Sequence, residues 1–135
     1  MIEVEDRLEI QDLISMYSYA YDENLIDEFM SLFADDAEVD LLTYSKGLDE
    51  IRGQIEERRH YLRNNGIHPR HHQTVTVLKD ISDTRVQGKT YILLTWYRED
   101  ASELELRFSG MYDDEFVKTD SGWKFRKRKV ERTPK

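Results

Sequence analysis

HPRHHQTVTVL, residues 68–78, is where the chain changes its hydrophobic period, and its reading decides the fold. Before it, apolar residues recur at helical spacing. Between Glu5 and Tyr21 the apolar positions are Leu8 and then Leu13, Ile14, Tyr17, Ala20 and Tyr21, the last five linked at spacings of three and four, which predicts an amphipathic helix closed by Asp22. The pattern repeats through Leu25, Phe29, Leu32 and Phe33, predicting a second helix over residues 25–34, after which ADDAEVDLL turns toward a short strand. A third helix is predicted from Leu48 to Asn64, with Gly66 as its stop. From residue 67 onward the period is two. TVTVL, TRVQGKTYILLTWY, LELRFSGMYDDEFV and GWKFRKRKV read as four long antiparallel strands joined by short turns. Helices followed by strands is an α+β order, not the strand-helix alternation of a nucleotide-binding parallel sheet. QGK and SGW are isolated turns, so no Gly-rich phosphate loop is present. A long twisted sheet curling around three helices leaves a cavity at its open end, and that cavity is the functional candidate.

The 135 residues, 39% hydrophobic with 15 aromatics, suffice for one domain with a real core and are too few for two. No repeat, low-complexity tract or linker divides them, and the two prolines, Pro69 and Pro134, sit at a strand start and in the tail. The absence of cysteine removes disulfides, thiolate zinc sites and a cysteine nucleophile together, in keeping with a reducing compartment such as the cytoplasm. The N-terminus MIEVEDRLEI lacks a basic region before an apolar run, and no segment approaches the ~20 apolar residues that cross a bilayer. The net charge of −8 is unevenly placed. Residues 1–50 hold fifteen acids against Arg7 and Lys46, whereas KFRKRKVERTPK holds seven of the twenty Lys and Arg. In a strand those cations alternate between faces and form no single stripe, which disfavours nucleic-acid binding and predicts a solvated edge pairing with the acidic helices.

The order IQDLISMYSYAYDENLIDEFMSLFADDAEVD, then GLDEIR, then RHHQTVTV, then GMYDDEFVKTDSGWKFRKRKV resembles the SnoaL-like branch of the nuclear transport factor 2-like superfamily along nearly the whole chain. Its most specific elements are Tyr17 and Asp22 followed by the Leu-Phe-Ala-x-Asp-Ala segment, the Arg70-His71 pair, and the Gly-x-Tyr-x-Asp run ahead of Gly-Trp-Lys. The resemblance implies a cone-shaped α+β half-barrel with an apolar pocket, often dimeric through the outer face of the sheet. That superfamily hosts dehydratases, isomerases, cyclases, epoxide hydrolases and non-catalytic binders, so fold does not choose among them. In the dehydratase-like members a Tyr and an Asp near the first helix and a His on the first long strand line the pocket; here these positions fall on Tyr17, Asp22 and His71. Val75 stands where relatives commonly carry an Asn, removing that polar contact to ligand. Arg98 and Asp100 lie too close to a strand end to reproduce the acid-arginine-acid trio of the epoxide hydrolases.

In a strand, His71, Gln73, Val75 and Val77 share one face while His68, Arg70, His72, Thr74 and Thr76 share the other. The two valines predict that the His71 face points inward. His71 and His72 then diverge and His68 and His72 lack a third ligand, so a metal site is not expected. An imidazole titrates near ~6.5, and a carboxylate beside it fixes its tautomer, which suits His71 to general acid-base work with Asp22 as partner, or Asp22 as the base itself. Tyr17 and Asp22 are separated by about 500° of helical rotation, so they converge only if the helix ends at or near Asp22. Tyr17 reads either as a core aromatic or as a hydroxyl donor to a developing enolate oxygen, while Tyr19 faces away. The expected pocket walls are Tyr21, Phe33, Gln73, Val75, Trp96, Phe108 and Met111, drawn from helix and sheet.

The expected activity is that of a lyase or isomerase needing neither metal nor cofactor, acting on a small, largely apolar carbonyl or hydroxy compound. His71 oriented by Asp22 removes a proton beside the carbonyl, and Tyr17 holds the enolate oxygen. A non-catalytic binding module and a polyketide cyclase are the alternatives. The two classes differ in what they require of the structure: an enzyme needs Tyr17, Asp22 and His71 gathered at one void.

Overall fold

A computed structural model describes residues 1–133. Helix α1 (Val4–Asp22) buries Leu13, Ile14, Tyr17, Ala20 and Tyr21 as the spacing predicts and leaves Tyr19 exposed, but Leu8, expected on the inner face, is 56% exposed and Ile10 fills the core instead. It stops because the chain turns left-handed at Asn24 (φ 61°), with the Glu23 and Asn24 amides donating to the Tyr19 and Tyr21 carbonyls. Asp22 is therefore the last helical residue. Helix α2 (Ile26–Met30) is shorter than predicted: Phe33 and Ala34 open strand β1 (Phe33–Asp40) instead. The Phe125 amide donates to the Leu32 carbonyl and Phe33 registers with Phe125, so pairing in the sheet overrides the local helical spacing. Strand β2 (Tyr44–Lys46) and helix α3 (Leu48–Asn64) follow, and Gly66 (φ 62°) supplies the turn into the sheet.

Strands β3 (Ile67–Ser82), β4 (Arg85–Arg98), β5 (Leu104–Thr119) and β6 (Gly122–Thr133) form an antiparallel meander, and β1 adds to β6 in parallel, giving the order β2-β1-β6-β5-β4-β3. The sheet is curved and unclosed, an α+β half-barrel with the helices packed against its concave face. Ile10, Phe29, Ile51, Ile55, Ile92, Phe116 and Phe125 form the fully enclosed centre.

The sheet departs from the expected arrangement in two places. The basic C-terminal strand is not an edge; β6 lies between β1 and β5, and Arg128 is buried within it. Its cations meet acids on neighbouring strands: Arg126 pairs with Asp36 and Glu38, and Arg128 with Asp114. Val75 and Val77 do not face inward. Gln73 registers with Ile92 and Thr76 with Thr90, so β3 spends three residues against two on β4, and this bulge reverses its alternation. Val75 and Val77 are 47% and 62% exposed on the outer face, whereas Pro69, His71 and Gln73, ahead of the bulge, face inward.

Candidate active site

The helix end at Asp22 and the inward face of β3 meet at one point. His71 Nδ1 lies 2.7 Å from Asp22 Oδ1, and the His71 backbone amide donates to Asp22 Oδ2 at 2.9 Å. A carboxylate accepts only, so Nδ1 carries the hydrogen and Nε2 presents its lone pair. The two side chains are 7% and 11% exposed. Rings hold the imidazole in place: Tyr21 lies edge-on at 4.9 Å between centroids and Tyr17 at 6.4 Å.

A cavity of about 800 Å³ opens here, with Tyr17, Tyr21, His71, Trp96, Phe108 and Tyr112 on its walls. Asp22 does not line it; the carboxylate sits behind His71 and reaches the cavity only through the imidazole. Nε2 has no hydrogen-bond partner among the described residues, so it is the nitrogen available to a ligand. Among the described residues no group of three His, Cys, Asp or Glu is placed to hold a metal ion. His68 bonds to Glu99 and His72 to the Thr95 hydroxyl, both on the outer side.

Beneath Tyr17 and Tyr112 lies a buried cation. Arg128 donates through Nε and Nη2 to the two oxygens of Asp114, at 2.8 and 3.0 Å, and its guanidinium stacks 4.2 Å from the Tyr17 ring centre and 3.6 Å from that of Tyr112. Burial opposes the Arg128 charge, but the attraction of Asp114 and the bonds to it outweigh that cost and keep the guanidinium above its already high ordinary value. Burial pushes the Tyr17 phenol up, opposed by the charge of Arg128 and the Tyr112 hydroxyl. Burial likewise raises Tyr21 to about 12 and Tyr112 well above its ordinary value. All three phenols are protonated at neutral pH and serve as hydrogen-bond donors.

Of the expected wall residues, Tyr21, Trp96 and Phe108 line the cavity and four others do not. Phe33 is core, packed against Phe29 and Phe125. Val75 is on the outer face because of the bulge, and Met111, beside buried Tyr112, alternates away from the cavity. Gln73 faces inward but is consumed by structure, donating to the Ile14 carbonyl and Ser18 hydroxyl and accepting from Arg128 Nη2. Arg128, Asp114 and three cavity arginines, Arg58, Arg107 and Arg132, are not among the residues expected from the sequence. A signal existed for one: Asp114 sits between Tyr112 and Phe116 on an inward face, where an acid requires a cation.

A model of the SnoaL-like domain family matches residues 3–129, and the chain belongs to that family, within the nuclear transport factor 2-like superfamily whose members include isomerases, dehydratases and polyketide cyclases. An uncharacterized protein of Mycobacterium tuberculosis is 30% identical over 137 residues, an alignment covering 93% of this chain and 84% of that protein. Among solved structures, a candidate scytalone dehydratase of Novosphingobium aromaticivorans superposes with a TM-score of 0.82 at 23% identity, over 96% of this chain and 85% of its own. A protein of the same organism with a nuclear transport factor 2-like, cystatin-like fold superposes with a TM-score of 0.81 at 19% identity, over 94% and 81%. At these identities the structural likeness speaks for the fold.

Proposed function

We propose that the protein is an acid-base lyase or isomerase acting on an apolar carbonyl compound in the cavity. The observation that carries this reading is the Asp22-His71 pair: a carboxylate locked behind an imidazole whose other nitrogen faces a void walled by neutral phenols. His71 Nε2 takes the proton from the carbon next to the carbonyl, Asp22 stabilises the imidazolium, and Tyr17 donates to the enolate oxygen. For a substrate with a β-hydroxyl, the enolate re-forms the carbonyl as the carbon-oxygen bond breaks. The imidazolium proton passes to the departing hydroxide, so water leaves and the base is regenerated. The same first step moves a double bond when no hydroxyl is present. General acid-base work of this kind contributes about 10²–10⁴-fold, and an oxyanion donor about 10²–10³-fold more.

We propose as well that the outer face of β3–β5 pairs with a second copy of the chain. Val75, Val77, Tyr91, Leu93, Tyr97 and Leu106 are exposed there, an apolar surface of the kind that marks an interface.

The catalytic reading is tested with 3-hydroxy-1-tetralone, a β-hydroxy ketone whose dehydration yields 1-naphthol, followed by fluorescence. Turnover is expected from the wild type, a loss of about 10²-fold or more in His71→Ala, and of about 10²-fold in Tyr17→Phe, with circular dichroism unchanged. Exchange of the substrate's α-proton in heavy water reports the first step separately. Activity or exchange retained in His71→Ala refutes the role given to that residue.

A further inference from the structure

The mouth of the cavity has a chemistry that proton transfer at His71 does not use. Leu94 registers with Phe108 but Thr95 with Leu106, so Arg107 is an extra residue in β5. The bulge turns Arg107 and Phe108 to the same side, and both line the cavity. The Arg107 guanidinium lies 4.0 Å from the centre of the Trp96 ring, and that of Arg132 lies 4.9 Å from Phe108. Stacking holds a guanidinium by its face and leaves its N–H edge open to an acceptor. Arg58 on α3 is held by one bond to the Leu41 carbonyl and also lines the cavity, where its charge acts on the Tyr17 and Tyr21 phenols. Among the described residues Arg58 and Arg132 have no carboxylate partner, while Arg107 spends one nitrogen on Glu105.

We propose that this rim is an anion site and that the substrate is an aromatic or polycyclic acid, its carboxylate held by Arg107 and Arg132. The substrate class rests on the catalytic reading above, but the anion site is separable from it. Two acids, Glu50 and Glu57, also line the cavity from α3; Glu50 accepts the Lys46 backbone amide. Their presence favours a singly charged carboxylate over a phosphate dianion, which they would repel more strongly. The ring-bearing body fits the walls of Tyr21, Trp96, Phe108 and Tyr112.

The test compares 2-naphthoate with 2-naphthamide, two ligands of nearly equal shape that differ in charge, by isothermal titration calorimetry. Wild-type protein is expected to prefer the naphthoate by at least about tenfold, with the preference falling as ionic strength rises. In the Arg107→Gln/Arg132→Gln double variant, with both sites solvent-accessible and folding checked by thermal melt, the preference should shrink to within about threefold. In His71→Ala the preference should persist, because the rim does not depend on the base. A wild-type ratio of one or less, an undiminished ratio in the double variant, or no measurable binding of either ligand would overturn the anion site. Absence of turnover in the wild type with the preference intact leaves the anion site standing and counts against the catalytic reading alone.

Discussion

Asp22 makes two bonds to one residue, and the chemical identity of its side chain decides which nitrogen of His71 can act. Oδ2 takes the backbone amide and Oδ1 takes the ring Nδ1 hydrogen. In Asp22→Asn one of these acceptors becomes an NH₂ donor. If the amide oxygen keeps the backbone bond, the new donor faces Nδ1, which must then accept, and the hydrogen moves to Nε2. The imidazole would point an N–H, not a lone pair, into the cavity. The expected outcome for 3-hydroxy-1-tetralone is a fall of about 10²–10⁴-fold in kcat with KM nearly unchanged, since the residue does not touch the cavity. A kcat within about threefold of wild type would show that Asp22 does not set the tautomer. The same residue illustrates what the sequence can and cannot convey: its candidacy was legible, but its convergence with Tyr17 depended on where α1 ends. The left-handed turn at Asn24 settles that end, and Asn is among the few non-glycine residues that tolerate it.

Strand periodicity made the sheet legible, and bulges limited how far it could be followed. The change of period near residue 67, the length of α1 and the Gly66 stop all follow from local patterns. Parity along a strand does not, because each bulge exchanges the inward and outward sets. In β3 the bulge after Gln73 sends Val75 outward, so the premise that oriented His71 fails although its inward direction holds. In β6, Glu115 registers with Lys127 but Phe116 with Phe125, and the extra Arg126 brings Arg128, not Lys127, into the core. In β5 the bulge creates the arginine rim. The outer strands carry their own electrostatic signature. Glu38 on β1 accepts from Tyr44 and from Arg126, and these bonds, Tyr44 first, hold its carboxyl below the ordinary value of 4.5. A carboxyl whose value drops on folding contributes stability that is complete above 4.5 and is lost as pH falls through the depressed value. Glu38→Gln should therefore melt below wild type at neutral pH, and the gap should narrow as the solution is acidified beneath 4.5. Thermal melts across that range measure it, and a gap independent of pH would assign the loss to packing instead of charge.

At the scale of the whole molecule, the two faces of one sheet have opposite tasks. The concave face is committed to helices and cavity, so any association through the sheet must use the convex face of β3–β5. Registration places Tyr91 opposite Met111 and Tyr97 opposite Leu104, with Leu93 between His72 and Ser109, so apolar side chains recur along this face. A net charge of −8 disfavours non-specific self-association, so the proposed pairing would rest on these apolar side chains. A two-fold axis through such a surface lets the same residues serve both partners, and a stable pair buries about 800 Å² on each. In such a pair the cavities would open away from the interface, and the proposed catalysis would not require assembly. Sedimentation of the wild type is expected at twice the 16.2 kDa chain mass, and of Leu93→Glu at the monomer mass, because two carboxylates would face each other across the axis in an apolar setting. The variant should keep the wild-type circular dichroism, since Leu93 is already 37% exposed and contributes little to the core. A wild-type monomer, or a dimer undisturbed by the glutamate, would remove the convex face from the account.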